Sequence, residues 1–333
     1  MINEYKGIWV FAEQREGKLQ EVTLELLGKS RIMADKIKDK VTALLLGENV
    51  SHLSDELISY GADSVVIVED SSLKAYQTNA YTSAIRQIVN KHKPSILLFG
   101  ATTIGRDLAP RLSTRLETGL SADCIDLEID KDGILIQTKP SFGGNIMVEI
   151  ICPNRRPQMA TVRPKVLGTP EKDLKRKGSK VFETVSINPT DLLTALIKSV
   201  KETTSAERIE DASIVVAGGR GMQNKENFDK LYPLADVLGA MVGGTRPAVN
   251  EGWIGEDKQI GQSGKTISPK LMICCGVGGA VQYLVGMQTA ETVIAINKDP
   301  NAAIFNYADY GIVGDCSEII PILTEKLRSL LRK

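Results

Sequence analysis

The chain has 333 residues, of which 42% are hydrophobic and 25% charged, and its 41 basic residues equal its 41 acidic residues in number. This is the composition of a globular protein, and the length predicts two domains. The formal net charge of zero argues against general affinity for nucleic acid, which needs a clustered positive surface. Because no apolar run reaches the length of a membrane span, we expect no membrane insertion.

The N-terminus and the cysteines indicate the compartment. The stretch "MINEYKGIWVFAEQ" has neither the regions of a signal peptide nor the arginine-rich character of a transit peptide. The five cysteines are odd in number and form no C-x-x-C, which fits a reducing cytoplasm. The two histidines lie in polar surroundings, and no His/Cys cluster has zinc spacing, so we predict no catalytic histidine and no metal site.

Residues 1–200 are predicted to form an α/β domain. Short apolar runs typical of buried parallel strands alternate with helical patterns. The strands are predicted at 8–13, 41–47 and 64–70, and the helices at 19–37, 52–62 and 80–94. Residues 95–112 are predicted to run from a strand through a glycine turn into a helix. Short connections between such elements predict a right-handed, doubly wound, mostly parallel sheet.

The pattern changes after residue 123. Residues 124–164 carry alternating side chains with Asp-Gly and Gly-Gly turns, which is typical of antiparallel hairpins, and we expect them to extend the first sheet at one edge. The charged segment 168–180 contains Gly and Pro and is interpreted as a linker or an exposed crossing segment.

Residues 205–333 are predicted to form a second doubly wound α/β domain. Strands are expected to begin near residues 212, 241, 269, 292 and 310, and helices over 224–240 and 317–333. Cys274 and Cys275 are adjacent in one of these strands, so their side chains should point to opposite faces and be buried by packing.

Glycine-rich turns recur beside these strands. The turns "GGRG" (218–221), "VGGTRP" (242–247) and "GVGGAVQY" (276–283) each follow a predicted strand, and "GQSGKT" (261–266) precedes one. In a doubly wound sheet, ligands lie beyond the carboxyl ends of the strands, where all four turns would gather. Free backbone N–H groups, two arginines and several hydroxyls and amides would meet there, which suits a long anionic ligand that contains a pyrophosphate.

Two familiar nucleotide motifs are incomplete. The dinucleotide fingerprint starts well at Gly276 and Gly278, but its third glycine position falls on Val281. The ending Gly-Lys-Thr of a P-loop is present, but the opening glycine position falls on Gln259, which disfavours ATP hydrolysis. From the residues alone, the sequence indicates only a pyrophosphate-containing cofactor.

The ordered motifs resemble those of the α subunit of electron-transfer flavoproteins. They are "LLFGATTIGRDLAPRLSTRLETGLSADC", "GGRGMQNKENFDKLYPLADVLGA", "VGGTRPAVNEGWI", "QIGQSGKTISPKLMICCGVGGAVQYLVGM" and "VIAINKDPNAAIFNYADYGIVGD". The resemblance implies an adenine-nucleotide-hydrolase-like N-terminal domain, a Rossmann-like C-terminal domain that carries FAD, and a heterodimer with a β subunit. It also implies electron transfer between flavin dehydrogenases, such as acyl-CoA dehydrogenases, and carriers that include ferredoxin and quinone systems.

The resemblance assigns cofactor contacts and no catalytic residue. Those around the pyrophosphate and ribityl chain are Arg220, Thr245, Gly278, Gly279, Ala280, Val281 and Gln282, and those on the adenosine side are Asn297 and Asp315. Those beside the isoalloxazine ring are Gln262 and Ser263, with the Ser263 hydroxyl near N5, and Arg246; Ile260 and Gly261 complete this part of the site.

One position departs from the family. Tyr283 stands where many members have a histidine that faces the flavin C2 carbonyl; a tyrosine can donate a hydrogen bond there but carries no positive charge near neutral pH, and it can also point away.

Two functional alternatives stay open at this point. One is an ATP- or AMP-binding α/β protein without a redox role. The other lies within the family, whose members either relay electrons or bifurcate them with NADH and ferredoxin, so enzymatic activity is undecided.

Overall fold

The computed structural model describes residues 4–141, 146–192, 194, 196–197 and 208–331. The chain divides into two compact units, Met1–Lys201 and Glu202–Lys333. Each unit contains a parallel β-sheet with helices, so the predicted α/β class with two doubly wound sheets is confirmed. Among the described residues, no helix is long and apolar enough to cross a membrane.

The first unit alternates strands and helices for most of its length. Its helices are α1 (Glu21–Ile37), α2 (Ser54–Ser59), α3 (Thr78–His92) and α4 (Thr103–Arg115). Its strands are β1 (Ile8–Ala12), β2 (Gln14–Arg15), β3 (Lys18–Leu19), β4 (Val41–Gly47), β5 (Ser64–Glu69), β6 (Ile96–Gly100), β7 (Leu120–Cys124), β8 (Asp126–Ile129), β9 (Leu135–Ser141), β10 (Ile146–Ile150), β11 (Gln158–Val162) and β12 (Ser179–Glu183).

Seven strands form one sheet in the order β12-β5-β4-β1-β6-β11-β7, and every pair in it is parallel. In the central strand β1, Ile8, Val10 and Ala12 enter one hydrophobic cluster, whereas Trp9 and Phe11 enter the cluster on the other face. Burial on both faces explains why the central strands β1 and β6 are continuous apolar runs with no polar alternation.

The antiparallel strands form a sheet of their own, and in this detail the expectation was wrong. The strands β10, β9 and β8 pair in that order as a three-stranded sheet and do not extend the edge of the seven-stranded sheet. Only Ile125 separates β7 from β8, which is too short for the hairpin turn that would fold β8 back beside β7.

The charged segment that starts at residue 168 is a crossing segment. It leads from β11 to β12, and β12 pairs in parallel with β5 at the opposite edge of the sheet. The sequence pattern did not predict β12, because its residues are exposed or only partly buried and carry little apolar alternation.

The second unit contains five strands and five α-helices among its described residues. The strands are β13 (Ile214–Gly218), β14 (Met241–Gly244), β15 (Leu271–Cys275), β16 (Val293–Asn297) and β17 (Tyr310–Val313). The helices are α5 (Lys225–Asp229), α6 (Leu231–Leu238), α7 (Arg246–Asn250), α8 (Val281–Leu284) and α9 (Cys316–Leu331).

These five strands are all parallel, in the order β14-β13-β15-β16-β17. The chain goes from β13 outward to β14 and then returns past β13 to β15, so the order reverses between β13 and β15. The loops that leave these two strands therefore diverge to opposite faces of the sheet, and a crevice opens between them. This crevice is where a doubly wound sheet binds its ligand.

The two adjacent cysteines of β15 lie on opposite faces, as predicted. Cys274 packs into the cluster on one side of the sheet and Cys275 into the cluster on the other. Burial raises the pKa of the Cys274 thiol to about 12, so both the position and the protonation state are those of a packing residue.

Candidate functional site

A cavity of about 800 Å³ opens at the crevice where the strand order of the second unit reverses. Four loops contribute its walls, and each follows or faces the carboxyl end of a strand. The lining residues are Gly219, Arg220, Gly221, Thr245, Arg246, Pro247, Gln259, Ile260, Gly261, Gln262, Ser263, Gly276, Val277, Gly278, Gly279, Ala280, Gln282, Tyr283 and Asn297. The four glycine-rich turns of the sequence all contribute residues to this one site.

The floor of the cavity is a direct contact between the turns after β13 and β15. The N–H of Gly221 donates to the carbonyl oxygen of Gly276 at 2.9 Å, and the N–H of Gly219 donates to that of Cys275 at 2.9 Å. A Cβ at Gly219 or Gly221 would lie less than 3.0 Å from Gly276. Only glycine therefore lets the two turns approach this closely.

Gly278 and Gly279 differ in what a side chain would meet. A Cβ on Gly278 would have no protein atom within 4 Å, and this residue is exposed on the cavity wall. Gly279 has φ +83°, and a Cβ there would lie less than 3.0 Å from the backbone N of Ile304. Gly278 thus keeps space free for a ligand, whereas Gly279 is needed by the fold itself.

The loop 259–263 forms a wall of the cavity and packs directly against α8. It is held by backbone hydrogen bonds, from Ile260 N–H to the Gly244 carbonyl at 2.9 Å and from Gln262 N–H to the Gln282 carbonyl at 2.7 Å. Within the loop, the Gln259 side-chain Nε2 donates to Ser263 Oγ at 3.0 Å. The backbone of this wall is therefore held by the protein's own hydrogen bonds.

Three polar side chains on the wall have unused hydrogen-bonding capacity. Thr245 is 8% exposed, and its Oγ1 is buried without a hydrogen-bond partner among the described residues. Arg220 and Arg246 are exposed, and neither guanidinium forms an ion pair with a described residue. A buried hydroxyl without a partner costs about 1–3 kcal/mol, so the fold tolerates Thr245 at a cost that a ligand would offset.

Tyr283 directs its hydroxyl into the protein interior. Its ring lines the cavity, but the side chain is 5% exposed and the hydroxyl lies 3.5 Å from Cys274 Sγ, where either atom can donate. Burial raises the pKa of the Tyr283 phenol well above its usual value, so this side chain is neutral.

Asn297 is the site residue at the end of β16. Its Nδ2 donates to the carbonyl oxygen of Val277 at 2.8 Å, and its Oδ1 accepts from Asp299 N–H at 3.0 Å. The side chain thereby connects β16 to the turn after β15 and reaches the cavity wall.

Two predicted site residues do not line the cavity. Asp315 caps α9, where its carboxylate accepts from Ser317 N–H at 2.8 Å, and this hydrogen bonding lowers its pKa. Val281 is the first residue of α8, and its side chain lies outside the cavity wall. The other thirteen predicted residues all line the cavity.

Six lining residues were given no contact in the sequence analysis: Gly219, Gly221, Pro247, Gln259, Gly276 and Val277. All of them except Gln259 lie in the glycine-rich turns that the sequence predicts at the site. Pro247 and Val277 contribute apolar surface beside the predicted residues Arg246 and Gly278. Gln259 lines the wall next to Ile260, and the only signal for it was its place at the opening position of the incomplete P-loop pattern. Its contact with Ser263 depends on how the loop folds, which the sequence pattern does not contain.

A cavity in the first unit has a different character. It measures about 530 Å³ and is lined by polar residues of α3 and α4 and of the segment 186–191, with no glycine-rich turn among them. Because its lining residues are all polar or charged, whereas cofactor sites are mostly apolar, it is a weaker candidate for a large cofactor.

Comparison with known proteins identifies the same two regions. Residues 8–189 match the family described as "Electron transfer flavoprotein domain", and residues 208–288 match "Electron transfer flavoprotein FAD-binding domain".

Full-length relatives agree with these matches. The chain is 49% identical over 329 residues to the "Electron transfer flavoprotein subunit alpha" of Thermoanaerobacterium thermosaccharolyticum, covering 99% of this chain and 100% of the relative. It is 48% identical over 328 residues to the protein of the same name from Megasphaera elsdenii, covering 98% and 97%. It is also 40% identical over 355 residues to the "Acryloyl-CoA reductase electron transfer subunit beta" of Anaerotignum propionicum, covering 98% and 97%.

The relatives named as alpha subunits imply a partner β subunit, and the matched domain carries the name of its cofactor, FAD. The cavity geometry, the two family matches and the full-length identity lead to one conclusion: the chain belongs to the electron transfer flavoprotein alpha subunit family.

Proposed function

We propose that this chain holds FAD in the cavity between the turns after β13 and β15 and passes electrons between a flavin dehydrogenase and a second carrier. In this proposal residues 205–333 form the FAD-binding domain, residues 1–200 contact the β subunit, and the complex works in the cytoplasm. The observation that carries the proposal is the 800 Å³ cavity at the point where the strand order reverses.

The residues on the cavity wall fit FAD. The volume lies in the range of cofactor sites, about 300–1,000 Å³. Thr245 offers a hydroxyl without a partner, Gly278 leaves its wall open, and Arg220 and Arg246 offer positive charge for a pyrophosphate. This donor set is rich in N–H and O–H groups and contains no carboxylate among the described lining residues.

The proposed residue roles follow from where each loop lies. Arg220, Thr245 and the turn 278–282 surround the pyrophosphate and ribityl chain, and Asn297 lies on the adenosine side. Asp315, whose carboxylate accepts a hydrogen bond from Ser317 N–H at the start of α9, stays a proposed contact on the adenosine side.

In this proposal the flavin ring lies between Arg246 and the loop 260–263, next to the apolar face of Tyr283. When bound, FAD supplies the redox chemistry, while the chain orients it and favours its negatively charged reduced form.

The acyl-CoA class of partner is supported by one relative. The protein from Anaerotignum propionicum carries the name of an acryloyl-CoA reductase electron transfer subunit, so we propose an acyl-CoA dehydrogenase-type flavoenzyme as the partner here. Simple relay is the main proposal. Bifurcation with NADH and ferredoxin is the second, and it requires another FAD in the β subunit.

The flavin content of the purified heterodimer tests the proposal. We expect a yellow complex with at least one FAD per heterodimer, measured by absorbance and by chromatography of the released nucleotides. One FAD with AMP indicates a relay, and two FAD support bifurcation. A colourless complex that releases only ATP or AMP would overturn the proposal in favour of a nucleotide-binding protein without a redox role.

Arg246 is predicted to raise the reduction potential of the bound flavin. Arg246→Ala removes a positive charge from the cavity wall, and at an effective dielectric constant of about 20 such a charge several ångströms away contributes roughly 1–3 kcal/mol. Allowing for solvent screening, we expect the potential to fall by some tens of millivolts, since about 59 mV corresponds to a tenfold change for one electron. Spectroelectrochemical titration measures this shift.

Arg246→Lys should recover part of the shift, because lysine keeps the charge but lacks the planar fork. Arg328→Ala is the matched control, since Arg328 pairs with Glu325 on α9 and does not line the cavity. Unchanged potentials in all three variants, with FAD bound normally, would show that Arg246 has no electrostatic role.

Gly278→Ala and Gly279→Ala should separate cofactor binding from folding. We expect Gly278→Ala to leave the free energy of unfolding of the flavin-free complex unchanged. It should bind FAD more weakly, because its methyl group enters space that the cofactor needs. Gly279→Ala should destabilise the flavin-free complex by more than about 1 kcal/mol, from strained φ and a backbone clash. Equal FAD affinity in Gly278→Ala and the parent complex would contradict the assigned site.

Thr245→Val should change stability and affinity in opposite directions. Removing a buried hydroxyl without a partner should stabilise the flavin-free complex slightly, by up to about 1 kcal/mol. Loss of its hydrogen bond should weaken FAD binding roughly tenfold or more. Thr324→Val is the control, because the Thr324 hydroxyl already donates to the Ile320 carbonyl at 2.7 Å. Calorimetry measures the stability, and flavin titration measures the affinity for FAD. Weaker FAD binding in Thr324→Val but not in Thr245→Val would refute the assignment of Thr245 to the site.

A further inference from the structure

We propose that Gln259 is a positioning residue that fixes the Ser263 hydroxyl as a hydrogen-bond donor to the flavin. This inference rests on the proposed function, because it assumes FAD in the cavity that both residues line. Nothing about the sequence motif assigned Gln259 a role, and the inference comes from its contact in the folded loop.

The geometry joins the two side chains on one wall. Gln259 Nε2 donates to Ser263 Oγ at 3.0 Å, and Gln259 is only 8% exposed. Its backbone is held at both ends, because its N–H donates to the Glu256 carbonyl at 3.1 Å and its carbonyl accepts from Lys265 N–H at 2.7 Å. The amide is therefore delivered to Ser263 by a rigid stretch of backbone.

The polarity of this contact determines what Ser263 can do. A serine hydroxyl is one donor and two acceptor lone pairs, and it rotates to suit its neighbours. Because the Gln259 amide uses an acceptor position of Oγ, the hydroxyl proton is free to point away from Gln259. Ser263 is exposed on the cavity wall, so that direction includes the cofactor.

A second consequence is the strength of the bond that Ser263 donates. A hydroxyl that accepts a hydrogen bond is polarised and donates a stronger one, by roughly 10–30% in condensed phases. Gln259 therefore acts in two ways, by biasing the rotation of the Ser263 hydroxyl and by polarising it. Both effects reach the flavin only through Ser263.

The tests use the complete heterodimer with ¹⁵N-labelled FAD. The ¹⁵N resonance of N5 reports whether that nitrogen accepts a hydrogen bond, and Ser263→Ala should move it downfield. Gln259→Leu, which is similar in size but has no amide, should move the same resonance in the same direction by a smaller amount. The flavin midpoint potential, measured in parallel, should change in both variants with the same relative order.

The double variant Ser263→Ala/Gln259→Leu distinguishes positioning from a direct effect. If Gln259 acts through Ser263, the second substitution moves neither the resonance nor the potential beyond the Ser263→Ala values. Gln288→Leu is the matched control, because Gln288 lies in the same unit but does not line the cavity, and it should leave both readouts unchanged.

The outcomes are separable. The positioning role would be overturned if Gln259→Leu gave no N5 shift, or gave the same shift whether Ser263 was intact or replaced by alanine. A complex without FAD would instead overturn the proposed function on which this inference rests. A general loosening of the loop is recognised by reduced thermal stability together with shifts at several ring nitrogens in Gln259→Leu, and that pattern also overturns the proposal.

Discussion

The contact between the two glycine turns is the constraint on which the cofactor domain depends. Gly219 and Gly221 lie so close to Gly276 that no side chain fits between them, and their N–H groups satisfy carbonyls at the end of β15. This contact closes the base of a crevice that the reversed strand order opens. Without it, the loops would stand apart, and water would fill the space in which backbone N–H groups can approach a pyrophosphate.

The remaining walls are built by loops that hold one another through the backbone. A Cβ on Gly261 would lie 2.8 Å from the carbonyl oxygen of Gln282, and a Cβ on Gly286 would lie even closer to the backbone N of Gly261. The loop after residue 258 therefore packs directly against α8. Hydrogen bonds from Gln262 to Gln282 and from Ile267 to Gly286 close this contact. Because these backbone contacts satisfy the loop internally, its side chains, Ser263 among them, are left for the cavity.

Much of this arrangement could be predicted from the sequence, and the exceptions have physical reasons. Glycines after apolar runs indicated the turns, because a strand end followed by glycine is a local pattern. No local pattern indicated the sheet to which β8 belongs or the contacts of Asp315. The separate antiparallel sheet depends on the single residue between β7 and β8, and Asp315 is occupied in capping α9. The Gln259–Ser263 contact is a property of a folded loop, which no local period encodes.

The electrostatics of the cavity explain why such a site suits an electron carrier. Among the described residues that line it there are two arginines and no acidic residue, and neither arginine is neutralised by a neighbouring carboxylate. A protein of zero formal net charge has thus concentrated uncompensated positive charge at one place. In the proposed site Arg220 lies beside the pyrophosphate and Arg246 lies beside the flavin ring. Each electron that arrives at the ring would add negative charge there, so in this proposal the guanidinium of Arg246 both contacts the cofactor and favours its reduction.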